Sequence, residues 1–414
     1  MKKIFLFFCV VANLMVACKK ELPDIGTIET GSSQSMPGEW IDKDTGHKVI
    51  RLTPRLGDNL SFYFHNNPFL PAGDGANEKM IFHGKTNQGM QLFSVDLITK
   101  KIDQITNKRG IISSGLSAEM VGKKSSRVYY QCNDSVFATN VENHQTELLY
   151  VFPDSIRGEV TTINADETLL GGIFLSSEDA ETLDRIKEEY DNTADELVAI
   201  EDAKLLYSLF TLQITTGEFK KIHNENHLLF HIQFSPIDPE FLMFCHEGFW
   251  SKVDRIWTIN VNEGLPRLMH KRTMENEIAG HEFFSPDGKW IWFDLQVPQG
   301  ETFYLSGVNV LTNETERYKL TRNEWSIHYT ISPDQQLFAG DGGDPGQVAN
   351  AGDGMWIYLF RPAGDHLSSE RLVNMKHHNY KLEPNVHFSP DGKWVIFRAN
   401  FGGQSDIYAV EVDK

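Results

Sequence analysis

His281 opens the stretch HEFFSPDGKWIWFD, and His387 opens a near copy, HFSPDGKWVIFRAN. Looser versions begin at His328 (HYTISPDQQLFAGD) and His231 (HIQFSPIDPEFLMF). A chain that repeats one turn-and-strand phrase at intervals of tens of residues is restricted to architectures made of equivalent stacked units. Within the phrase, Pro presets φ at the second turn position, Asp bonds back to the backbone and Gly accepts positive φ. The aromatic-rich or alternating residues that follow read as a strand. A second hairpin follows each strong copy, as in FYLSGVNVLTNETERYKLT and DRIWTINVNEGLPRLMHKR. Four strands per unit is the pattern of a propeller blade.

Weaker units lie upstream in INADETLLGGIFL (from Ile163), SAEMVGKKSSRVYYQC (from Ser117) and FLPAGDGANEKMIFHG (from Phe69). The count is about seven, at spacings of about 40 to 60 residues. These features predict an all-β chain, a single seven-bladed β-propeller over 41–414. The end of the chain, SDIYAVEVD, lacks a fourth strand, and GHKVIRLT (Gly46 to Thr53) is a strand without a hairpin partner. Pairing the two would close the ring and remove free edges. Residues 176–206 form a charged helical insertion, read as a solvated excursion with a lid as the alternative.

The N-terminus reads as a targeting segment. Lys2 and Lys3 precede the apolar run IFLFFCVVANLMVA, too short to span a bilayer and suited to a signal sequence. MVAC (Met15 to Cys18) resembles a bacterial lipobox, which implies a signal peptide over 1–17 and a lipid on Cys18. Residues 18–40 are then expected to be a flexible tether, polar and poor in core residues. The expected location is the cell envelope of a Gram-negative bacterium, with membrane contact only through the lipid anchor. Two cysteines in the body, Cys132 and Cys245, exclude a disulfide framework. The net charge of -18 argues against nucleic acid as a partner and requires any anion site to be a local basic pocket.

Histidines repeated just before the turns can converge on a propeller axis, or can be hydrogen-bonded repeat furniture; spacing alone leaves both open. MFCHEGFWSKVDRIWTIN (Met243 to Asn260) resembles the oligogalacturonate lyase family, as do HEFFSPDG, HYTISPDQQLFAGDGGD and NHLLFHIQFSP. The shared turns also resemble TolB-like repeats. The family resemblance implies β-elimination on short oligogalacturonates with a divalent cation, typically manganese, on the channel axis. It implies His246 as base, His281 as a metal ligand and Lys221 near a basic residue that supports substrate charge. Arg255 is expected to contact a uronate carboxylate, with an ion pair to Asp254 or Glu247 as the alternative. His231, His328 and Arg398 are expected among the substrate contacts.

In its last blade the family carries Gln-x-x-His-x-His, where this chain has Tyr380, Glu383 and Asn385. The expected metal set is therefore His281, Glu383, Asn385 and His387, an oxygen-rich set suited to manganese, calcium or magnesium. The expected partner is an acidic oligosaccharide. The alternatives are a lyase or hydrolase for another acidic glycan, and a non-catalytic propeller that binds glycan or protein.

Overall fold

The computed structural model describes residues 25–33, 36–72, 77–112, 120–190 and 192–414, and in it the chain is all-β apart from two α-helices and a 3-10 turn. The signal sequence and Cys18 lie outside the described residues. The repeated phrase is one turn built several times. Ser285 Oγ donates to Asp287 at 2.7 Å and accepts the Trp290 N–H at 3.0 Å. Ser332 makes the same two bonds with Asp334 and Leu337, and Ser389 with Asp391 and Trp394. The residue after the Asp needs positive φ. Gly288 (66°) and Gly392 (71°) adopt it without a Cβ penalty, whereas Gln335 is held there at 61°.

The strands pair in sequence order. Three sheets drawn from 120–151, 156–225 and 229–268 each hold four strands in simple succession. Two more four-stranded runs, 278–320 and 329–374, are joined into one sheet by a single parallel bridge, Lys319 to His366. A further sheet takes its strands from 59–104. The last three strands form one sheet with the start of the chain, Asp406–Glu411 pairing with Lys48–Arg51 so that Val49 faces Val410 and Ile50 faces Ala409. Neighbouring sheets bury their apolar faces against each other: Met120, Tyr129 and Val136 of one pack with Phe210 and Leu212 of the next.

The insertion is helical, as its composition predicts. Helix α1 is Ser177–Glu189, capped by Ser176, and α2 is Thr193–Ala203, capped by Asn192. Leu183, Ile186 and Ile200 pack on Leu175, Tyr207 and Leu229, which fixes the pair to the sheet beneath.

The described part of the predicted tether is not free chain. Thr27–Ile28 pairs with Ile41–Asp42, and Trp40 and Met36 are buried. Trp40 Nε1–H donates to Thr30 Oγ1, which donates to Asp42. Glu29 pairs with Lys43, Lys376 and His377. One buried indole outweighs the polar composition of the segment around it.

Candidate active site

The strands that lead into the turns carry a local defect that aims side chains. His231 (φ 48°), His281 (51°) and Asn385 (51°) all take left-handed backbone, and each stands four residues before the turn serine. At His231 and His281 the register slips, between Phe230 and Gln233 and between Gly280 and Phe283. These are β-bulges, which turn a strand residue out of its normal alternation. His328 stands at the same offset from Ser332.

His246 ends the strand Phe241–His246 and is 8% exposed. Its Nε2 lies 2.8 Å from Glu225 Oε1, at the end of the neighbouring sheet's fourth strand, Phe219–Glu225. A carboxylate partner makes Nε2 the protonated nitrogen and leaves Nδ1 with the lone pair. The ring is clamped between His227 (centroids 4.3 Å apart, 11° between planes) and Trp257 (4.9 Å). Burial pushes the Glu225 carboxyl up, but its bond to His246 and the nearby imidazoles outweigh this and hold it low. His246 is therefore positioned by a residue that the sequence reading did not single out.

Behind His246 sits a buried ionic cluster. Arg255 is 2% exposed, donates through Nε to Glu282 (2.5 Å) and through Nη1 to Glu247 (2.9 Å), and lies over the Trp250 ring. Glu247 also accepts from the Trp250 indole. The expected role of Arg255 as a substrate contact is thus replaced by an ion pair, with Glu247 and Glu282 rather than Asp254. Burial alone would push both carboxyls up; the Arg255 guanidinium instead holds them below the ordinary range. His231, expected to touch substrate, is buried with Nδ1 3.4 Å from Glu282.

A second cluster gathers His281, His328, Asn385 and the segment 61–66. His281 Nδ1 and His328 Nδ1 each lie 2.8 Å from a carboxylate, Asp294 and Asp341, thirteen residues further on in both cases. Their rings meet edge to face at 4.9 Å, and Phe64 stacks on His328. For His281, burial opposes charge but Asp294 outweighs it, so its pKa is raised; Nε2 has no protein partner. His328 is fully buried and uses both nitrogens, since Nε2 lies 3.3 Å from the Tyr63 hydroxyl. Burial pushes its pKa well below the usual value and pushes Asp341 up to about 7.

The predicted metal set does not assemble. Asn385 accepts the Phe64 N–H through its amide oxygen and donates to the Glu383 carbonyl, so its oxygen is already used. His387 is bonded through Nε2 to the Asn66 carbonyl, and burial lowers its pKa to about 4. It stands two residues before Ser389, not four, so it misses the bulge position that Asn385 fills. Glu383 reaches within 3.8 Å of His328 Nε2. Of the predicted set, His281 Nε2, the Glu383 carboxylate and His387 Nδ1 are left without a hydrogen-bond partner, but they are not gathered at one point. Among the described residues no group of three or more His, Cys, Asp or Glu is arranged to hold a metal ion.

Two cations also fall elsewhere than expected. Lys221 is exposed on the outer strand, four residues before Glu225, about 13 Å along an extended chain. Arg398, expected to touch substrate, spends Nε and Nη1 on the carbonyls of Glu383 and Ser61.

Residues 37–414 match the sequence model of the oligogalacturonate lyase family. The chain belongs to that family. It is 25% identical over 396 residues to the oligogalacturonide lyase of Pectobacterium atrosepticum, covering 90% of this chain and 95% of that one. Identity and coverage are the same for the oligogalacturonate lyase of Dickeya dadantii. Among solved structures, an oligogalacturonate lyase in complex with manganese aligns with TM-score 0.77 at 23% identity, over 91% of this chain and 96% of that one. The Vibrio parahaemolyticus oligogalacturonate lyase gives 0.76 at 24%, with the same coverage. A β-propeller domain from Myceliophthora, 10% identical with TM-score 0.51 over 86% of this chain and 96% of its own, shares the fold more loosely.

Proposed function

We propose that this member of the oligogalacturonate lyase family cleaves short galacturonate oligosaccharides by β-elimination, with His246 as the base. The observation that carries the reading is the pinning of His246 by Glu225, which leaves one imidazole nitrogen free. In a 4-linked uronate the C5 proton is weakly acidic because the adjacent carboxylate delocalises the carbanion. His246 Nδ1 takes that proton, the electron pair forms the C4–C5 double bond, and the C4–O bond breaks. The departing oxygen takes a proton from water. Charge that develops on the carboxylate requires fixed donors, and His281, whose pKa Asp294 raises, donates through its free Nε2 when protonated. Since the cation ligands do not assemble, no step is assigned to a metal.

The same reading takes the successive four-stranded groups as seven blades of one ring, closed by the pairing of Lys48–Arg51 with Asp406–Glu411; the repeated serine turns support it. It also anchors the protein to the cell envelope through Cys18, supported by the flanking lysines and apolar run. Release of the protein into the soluble fraction by Cys18→Ala tests the anchor. The activity is tested by incubating the purified protein with di- and trigalacturonate and following unsaturated-product absorbance. Absorbance that rises with wild type and not with His246→Gln supports the reading; no rise with wild type refutes it.

A further inference from the structure

A cavity of about 250 Å³ lies between α2 and the loop that follows His246. We propose that it is a binding subsite for one acidic sugar of the oligosaccharide, with Lys204 and Lys252 as its carboxylate contacts. This deepens the lyase reading and rests on it.

Position is the first argument. His227 lines the cavity and lays its ring on that of His246, so a sugar held here is one stacked ring away from the proposed base. Pockets for drug-sized ligands run from roughly 300 to 1,000 Å³, so this volume suits about one sugar ring.

The lining is divided as a uronate is. Ile200, Leu228 and Val253 offer apolar surface for a C–H face, while Asn226, Lys204 and Lys252 supply polar groups. Among the described residues neither Lys204 nor Lys252 makes a salt bridge, so both ammonium groups are available at the cavity. The Lys252 ammonium lies over the Phe249 ring at 4.5 Å. Of the two carboxylates that share the lining, Glu247 is paired with Arg255, which it shares with Glu282. The other, Glu201, leans towards Gly248: a Cβ there would stand 2.9 Å from Glu201 Oε1.

Gly248 also makes the cavity a joint product of the insertion and the base segment. Its φ of 147° favours glycine, and the Glu201 carboxylate of α2 approaches it closely, so α2 and the Glu247–Gly248 backbone meet at this cavity. The insertion is therefore a wall of the site and not a detached excursion.

The test is steady-state kinetics on trigalacturonate with Lys204→Gln, Lys252→Gln and the double variant, each checked for an unchanged melting temperature. The double variant should raise KM at least ten-fold with kcat within about three-fold, and each single variant should raise KM less. KM within two-fold of wild type in the folded double variant overturns the subsite while leaving the lyase reading intact. If wild type itself makes no unsaturated product, the lyase reading fails. Calorimetry of trigalacturonate with wild type and the double variant then decides the subsite alone. Binding lost in the double variant supports it; equal or absent binding overturns it.

Discussion

His246 and His328 are both held by a carboxylate at 2.8 Å, yet the two regions around them are built to different ends. At His246 one ring nitrogen is pinned and the other is left without a partner. At His328 both nitrogens are spent, one on Asp341 and one on Tyr63, and Phe64 covers the ring. A histidine held by a carboxylate therefore keeps a free nitrogen or loses it according to what a second segment brings to it. Here that segment is Ser61–Asn66, which takes His328 Nε2, the Asn385 amide oxygen and His387 Nε2.

The comparison can be broken by exchanging losses. His246→Gln should lower kcat at least ~100-fold, the lower end of general-base effects, with little change in melting temperature. His328→Gln should do the reverse, costing about 1–3 kcal/mol of stability as Asp341 and Tyr63 lose their partner, with a smaller effect on kcat. Equal kcat losses in the two, without destabilisation of His328→Gln, would erase the distinction. Arg255→Met leaves Glu247 and Glu282 buried without their cation and should cost about 3–5 kcal/mol by denaturant unfolding. Unchanged stability would mean that the cluster is not the frame of the site.

Smaller effects sharpen the same contrast. Glu225→Gln should lower kcat about ten-fold or more, because His246 loses the partner that fixes its tautomer. The pH dependence of stability follows from Glu247 and Glu282, both held below the ordinary range in the fold. A depressed folded pKa stabilises fully above the unfolded value and ceases to do so as pH falls through the folded one. Melting temperature should therefore drop as pH is lowered through and below the ordinary glutamate range near pH 4.3, and less steeply in Glu282→Gln. Parallel curves for the two proteins would remove Glu282 from the account.

Much of this was written in the repeat. The serine turns, the all-β plan and the helical insertion follow from local turn chemistry and periodicity, which sequence carries directly. The site was less legible because its partners come from other sheets: Glu225 reaches His246 across a sheet boundary, and Tyr63 reaches His328 from the far end of the chain. Two signals could have been read. Asp294 interrupts an apolar strand and Asp341 directly follows one, each buried thirteen residues after a histidine, a costly place for a charge unless it is paired. Counting back from the turn serine, rather than matching the histidine by eye, also puts Asn385 and not His387 at the fourth position.

In the proposed reaction the His246–Glu225 pair, and not a cation at the neighbouring cluster, carries the proton transfer. The direct measurement is the rate of unsaturated-product formation from trigalacturonate after exhaustive chelation, with and without added manganese. Rates within two-fold of each other are expected. A rate that falls to the level of His246→Gln on chelation and returns with manganese would contradict it.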